Sequence, residues 1–275
     1  LLGIFRVLRQ AIRNFFDDNV VALSAGLAFY SALSLAPLLM MLLAATEFLS
    51  DELAASVIAQ IHLFVGERAG NGLTLVMEST RQQNVAGLIA GFGAVAMLLS
   101  ATMAFTHLQN SLNRIWKVKD HRSQVVRWLL ARAMSLGLVL GIGLLLLVSL
   151  MVTAALRFLF SDASAWSLID AGASLLMYAL LFGLIYWLLP SVSIGWRDVA
   201  MGAVVTAILF DLGKWGIGRY LSYASIGSVY GAAGSIMVLL VWIYYASIVF
   251  FFGAEITHAY ARLYGSLRSR QGTEW

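Results

Sequence analysis

Apolar residues run in six long blocks along this chain, each bounded by a polar connection. A stretch of about 20 apolar residues, rising about 1.5 Å per residue, crosses a hydrocarbon core roughly 30 Å thick. The blocks predict spans at about 20–49, 85–108, 128–156, 167–189, 198–220 and 233–260. The expected fold is all-α: a polytopic membrane protein, a bundle of six transmembrane helices with an N-terminal interfacial amphipathic helix. Residues 1–19 form that interfacial segment in this reading, 20–260 the six-span bundle and 261–275 a basic tail.

Within residues 1–16, Ile4, Phe5, Leu8, Ile12, Phe15 and Phe16 recur at helical spacing, while Arg6, Arg9 and Arg13 share the other side. Too short and too charged to span, this segment suits a helix lying against anionic headgroups. Asp17-Asp18-Asn19 reads as a cap, with acids at the positive end of the next helix. Pro37 falls inside the first span, where a missing N–H bends a helix. The longest connection, 50–84, carries Leu53, Val57, Ile61, Phe64 and Val65 at the spacing of a short amphipathic helix, broken by Gly66, Gly70 and Gly72. Gly87 and Gly91, and Gly137 and Gly141, have the GxxxG spacing of close helix crossings, a spacing that glycine-rich spans also produce by chance.

Composition settles the solvent. Hydrophobic residues make up 61% of the 275 and charged residues 12%, more apolar surface than a soluble domain of this size can bury. There is no cysteine, which excludes disulfides and thiolate metal sites. The chain opens at Leu1, so its natural start is expected upstream; Arg6, Arg9 and Arg13 interrupt the opening too soon for a cleavable signal peptide. Thirteen of the 18 lysines and arginines fall on one side of the predicted topology: the N-terminal segment, the connection between spans two and three with Arg132 just inside span three, and the segments after spans four and six. The positive-inside rule makes that side cytoplasmic, with both termini inside.

Ionisable groups at membrane depth are costly, and they are the first candidates for chemistry. Asp211 and Lys214 lie one turn apart in span five, and Glu47 near the outer end of span one could join them around an outward cavity. The alternative is an ion pair that staples two helices. Glu255, His258 and Arg262 share one face of span six near its inner end, with Arg132 in span three a plausible partner for Glu255. Such a patch could bind a headgroup, relay protons or close a gate; it could equally fix helix position. Tyr30, Ser34 and Pro37 make a polar, bendable stretch that lines a pathway or merely packs, its hydroxyls bonded to their own helix. Trp242 and Tyr245 either line a cavity for an amphipathic ligand or pack between helices. Lipid headgroups are the expected partners of Arg6, Arg9, Arg13, Arg114, Lys117, Lys119, Arg122, Arg127 and Arg132. No cofactor, metal or nucleic acid is expected, and no nucleotide-binding, metalloprotease or serine-hydrolase signature is present in the sequence.

Several segments resemble the YihY/BrkB family of bacterial inner-membrane proteins. They are Asp18-Asn19 with Leu23-Ser24-Ala25-Gly26-Leu27-Ala28-Phe29-Tyr30 and Ser34-Leu35-Ala36-Pro37-Leu38; then Leu189-Pro190, Trp196 and Gly202-Ala203; then Tyr230-Gly231-Ala232-Ala233-Gly234-Ser235, Leu240, Trp242, Tyr244-Tyr245 and Gly253-Ala254-Glu255. The resemblance covers nearly the whole chain and implies a six-span protein of the bacterial inner membrane. It also implies a link to envelope lipid biology, and it brings a ribonuclease label that these residues, with no nuclease site, do not support. The expected function is a transporter or flippase-like permease of an amphipathic or lipid-related substrate, with an acid such as Asp211 or Glu255 coupling movement to protons. The alternative is a non-transporting membrane scaffold in envelope assembly.

Overall fold

The computed structural model describes residues 2–46, 88–118, 163–192, 194–223 and 232–267. Among these residues every regular element is a helix: α1 (Leu2–Asp17), α2 (Val20–Thr46), α3 (Leu88–Ile115), α4 (Ala163–Leu188), α5 (Trp196–Tyr223) and α6 (Ala232–Leu263). Three of them contain stretches long and apolar enough to cross a membrane: Ala171–Leu188, Trp196–Ile217 and Met237–Leu263. Val20–Ser34 is a shorter apolar helical stretch within α2. The span expected at 128–156, the connection 50–84 and the glycine pair Gly137 and Gly141 lie outside the described residues.

The helix boundaries follow local chemistry. α3 continues to Ile115, seven residues past the predicted end of its apolar block. Gln109, Asn110, Ser111 and Asn113 lower the hydropathy there, but Leu112 and Ile115 remain one turn apart and fully buried. The helix then ends in a Schellman turn: Lys117 N–H donates to Arg114 O at 3.0 Å and Val118 N–H to Asn113 O at 2.9 Å. Lys117 holds φ 56°, the left-handed conformation usually left to glycine. Asn19, also at φ 56°, closes α1 and offers its carbonyl to Ala22 and Leu23 at the start of α2. Pro190 ends α4, and the next free N–H, that of Ser191, is taken by Asn113 Oδ1 at 2.9 Å.

The described helices fall into two compact units, each taken here by itself. The first comprises 1–23, 108–211 and 248–275; the second comprises 24–107 and 212–247. In the first, α5 and α6 cross through two reciprocal notches. A Cβ on Gly202 would overlap Thr257 Oγ1, and a Cβ on Gly253 would overlap Thr206 Oγ1. Each threonine donates back to its own helix, Thr206 to Gly202 O (2.7 Å) and Thr257 to Gly253 O (2.8 Å), so no hydroxyl is stranded. Tyr186 of α4 closes the crossing, its hydroxyl 2.5 Å from Phe250 O and 3.1 Å from Thr206 Oγ1. Phe182, Phe210 and Phe250 fill the space beside it, with ring centroids 5.5 to 6.1 Å apart.

In the second unit the close approaches are Gly26 under the His107 ring and Gly213 under the Tyr245 ring. At both glycines a side chain would collide with a ring; Gly87, like Gly137 and Gly141, lies outside the described residues.

Candidate functional site

Four turns and helix ends of the first unit gather at one place. The α1–α2 elbow at Asp18, the end of α3 at Trp116–Lys117, the segment 191–198 and the last turns of α6 are tied together by contacts. Lys117 Nζ reaches Asp18 Oδ1 at 3.0 Å, and Asn113 holds Ser191. Asp198, buried in the first turn of α5, accepts from Ser266 N–H (2.8 Å) and Ser266 O–H (2.7 Å). Gly195 N–H donates to the same Ser266 Oγ.

Behind the Asp18–Lys117 pair lies a buried polar cluster. Glu255 and His258, one turn apart on α6, are both fully buried, with His258 Nδ1 3.9 Å from Glu255 Oε2. Asn14, Asp18 and Lys117 surround the Glu255 carboxyl. The Trp116 ring stands 5.2 Å from the His258 ring. Asn14 and Asp18 are the hydrogen-bonding side chains beside the Glu255 carboxyl, but the fit is loose: among the described residues Glu255, His258, Asp18 Oδ2 and Trp116 Nε1 make no close hydrogen bond. Buried polar groups are normally well bonded, so loosely bonded groups gathered in one cluster are the first candidates for a functional role among the described residues.

Two carboxyl groups share the cluster with Lys117, and the Arg262 charge also reaches His258. The carbonyl ends of α1 and α3 bring partial negative charge, while the start of α2 beside Asp18 brings partial positive charge, so helix ends of both signs act on the site. No group of three or more histidine or acidic side chains suited to a metal ion is found among the described residues.

The remaining expected positions fall elsewhere. Asp18, which the sequence marks only as a cap, is the ion-pair partner of Lys117; the pair of acids at 17–18, where one suffices to cap a helix, was the signal for it. Asn14 and Trp116 carried no signal of their own. Arg262 is exposed although its neighbours on the same face are buried. Asp211 is exposed on α5 and Lys214 half-buried, while Glu47, the third member of the expected cluster, lies outside the described residues. Arg132, the expected partner of Glu255, lies outside them too, as do Lys119, Arg122 and Arg127. In the second unit the Tyr30 ring lies 5.3 Å from His107, and Ser34 Oγ donates to Ser31 O at 2.7 Å, the packing arrangement. Pro37 lies within α2, and the helix runs through it. Trp242 is buried and stacks on Tyr245, ring centroids 6.2 Å apart, and Tyr245 covers Gly213. Arg6, Arg9, Arg13 and Arg114 are exposed.

Apolar helices of spanning length and a polar cluster buried at their ends define a helical membrane protein. Residues 11–274 match the sequence profile of the family described as Virulence factor BrkB, and the chain belongs to that family. It is similar to membrane proteins named UPF0761. The one from Rhodospirillum centenum is 27% identical over 266 residues, covering 91% of this chain and 56% of the relative. That from Chromobacterium violaceum is 30% identical over 257 residues, covering 88% and 58%. That from Vibrio campbellii is 27% identical over 270 residues, covering 94% and 82%. The chain thus spans little more than half the length of several of its curated relatives. No solved structure matches it.

Proposed function

We propose that this chain is a permease for an amphipathic or lipid-related solute in the bacterial inner membrane, with both ends cytoplasmic, and that Glu255 carries the coupling proton. One observation carries the reading: Glu255 is wholly buried at the end of a spanning helix beside a second acid, Asp18, and its oxygens make no close hydrogen bond among the described residues. A structural staple would hold those oxygens in close hydrogen bonds, because stranding a buried carboxylate costs several kcal/mol. His258 Nδ1 lies 3.9 Å from Glu255 Oε2, beyond direct hydrogen bonding, and the Asp18–Lys117 pair adjoins Glu255.

The scaffold reading draws support from the α5–α6 crossing, where the notches leave no room for a pathway. The loosely bonded cluster argues against it, since a static frame is best served by fully satisfied polar groups.

The test uses the chain reconstituted in vesicles holding trapped pyranine and a trace of NBD-labelled phosphatidylethanolamine. With an imposed pH gradient, wild type should move the lipid probe and acidify the lumen together. Glu255→Gln should lose the gradient dependence of both while remaining monodisperse in detergent. Equal rates in the two proteins remove Glu255 from the mechanism; no movement above protein-free vesicles removes lipid transport.

A further inference from the structure

α1 has three faces, and among the described residues one of them packs against protein. Val7 and Ala11 are buried against Ile256 and Ala259 of α6, and Asn14 and Asp18 continue that side toward the Glu255 cluster. A second side bears Ile4, Phe5, Leu8, Ile12 and Phe16, all exposed; Phe5 and Phe16 keep 65% and 70% of their surface open. The third bears Arg6, Arg9 and Arg13, also exposed. At 100° per residue these sides succeed one another around the helix, the basic strip adjoining the apolar one.

Depth along the spanning segment says what covers the two open sides. α1 packs at Ile256 and Ala259, four to seven residues from the end of the apolar stretch Met237–Leu263. At about 1.5 Å per residue, that is roughly 6–10 Å below the end of the stretch, the depth at which interfacial helices lie. Two exposed tryptophans at the same end of the unit, Trp187 and Trp196, meet edge-to-face at 6.0 Å, as rings do at headgroup level. We infer that α1 is a docking surface for anionic phospholipid: its apolar side enters the acyl boundary of the adjoining leaflet, and Arg6 and Arg9 bind the phosphates above it. Arg13 is held toward Asp17 at 3.6 Å and contributes less. The inference is independent of the permease reading, because it rests on faces of α1 that do not touch Glu255.

The chain has no cysteine, so single substitutions carry a nitroxide to one place each. In vesicles of phosphatidylcholine and phosphatidylglycerol, labels at Phe5→Cys and Ile12→Cys should collide with oxygen far more than with a water-soluble nickel chelate. A label at Arg9→Cys should show the reverse. Equal nickel access at all three sites, or protection of Phe5→Cys and Ile12→Cys from both reagents, overturns the inference, the second by showing protein over that face. The double variant Arg6→Gln, Arg9→Gln should also lose preference for phosphatidylglycerol over phosphatidylcholine in native mass spectrometry, by about five-fold for each arginine removed. An unchanged preference overturns the assignment of those two side chains.

Discussion

The Thr257 hydroxyl stands where a side chain on Gly202 would begin, and one turn away on each helix Thr206 stands so toward Gly253. The two helices therefore meet through a doubled small-residue notch in which neither backbone can accept a methyl group. Interfaces of this kind replace the hydrophobic effect, which does not drive helices together in lipid, with close packing.

Gly202→Ala and Gly253→Ala should each destabilise the folded chain by roughly 1–3 kcal/mol, the usual cost of overpacking. Gly172→Ala and Gly216→Ala meet open space and should be neutral or slightly stabilising, since alanine favours helix. Thermal loss of monodisperse protein in detergent measures all four. Equal effects across the set would dismiss the notch.

Tyr186→Phe removes the hydroxyl that bridges Phe250 O and Thr206. Hydrogen bonds inside membrane proteins contribute about 0.6 kcal/mol on average, with a maximum near 1.7. The variant should therefore lose on the order of 1 kcal/mol, because the hydroxyl is fully enclosed and both partners are lost. A denaturant titration that separates it from wild type by less than the experimental error would show the bridge to be idle.

Lys117→Met should be more damaging than Asp18→Asn. The Asp18 side chain keeps 9% of its surface exposed and the Lys117 side chain 42%. Losing the lysine strands a covered carboxylate beside Glu255; losing the aspartate lets the lysine turn to solvent. Stranding a buried charge costs roughly 3–5 kcal/mol, and partial exposure of this pair brings the figure for Lys117→Met toward about 3. Melting temperatures of the two variants in one detergent decide it, and the opposite order would refute the argument.

Asp198→Ala should release the turn at 264–267 from the start of α5. Two hydrogen bonds from Ser266 are lost, and the Gly195 contact goes with them. Hydrogen exchange at Ser266 should speed up by more than ten-fold, since losing bonds to a charged acceptor costs about 1.5–3 kcal/mol. Unchanged exchange there would mean that the turn is held by other contacts.

Glu255, His258 and Lys117 were legible as candidates because charge in or beside an apolar run stands out on composition alone. What they face was not. Asp18 lies 237 positions before Glu255 in the chain, and Asn14 and Trp116 are ordinary residues for a helix end. Gly202 and Gly253 stood in the family-like segments without a stated role, while the GxxxG pairs drew notice by spacing. Spacing describes one helix, whereas a notch needs the threonine of the other.

Hydropathy runs were enough to assign the solvent and the helical class, because water-to-lipid transfer energies add up residue by residue. Basic asymmetry predicted an orientation for the same reason. The polar cluster around Glu255, the bond between Asp18 and Lys117 and the locked crossing of α5 with α6 came into view only with folding. They depend on which side chains from distant segments share a few ångströms of space, and no sum over single positions contains that information.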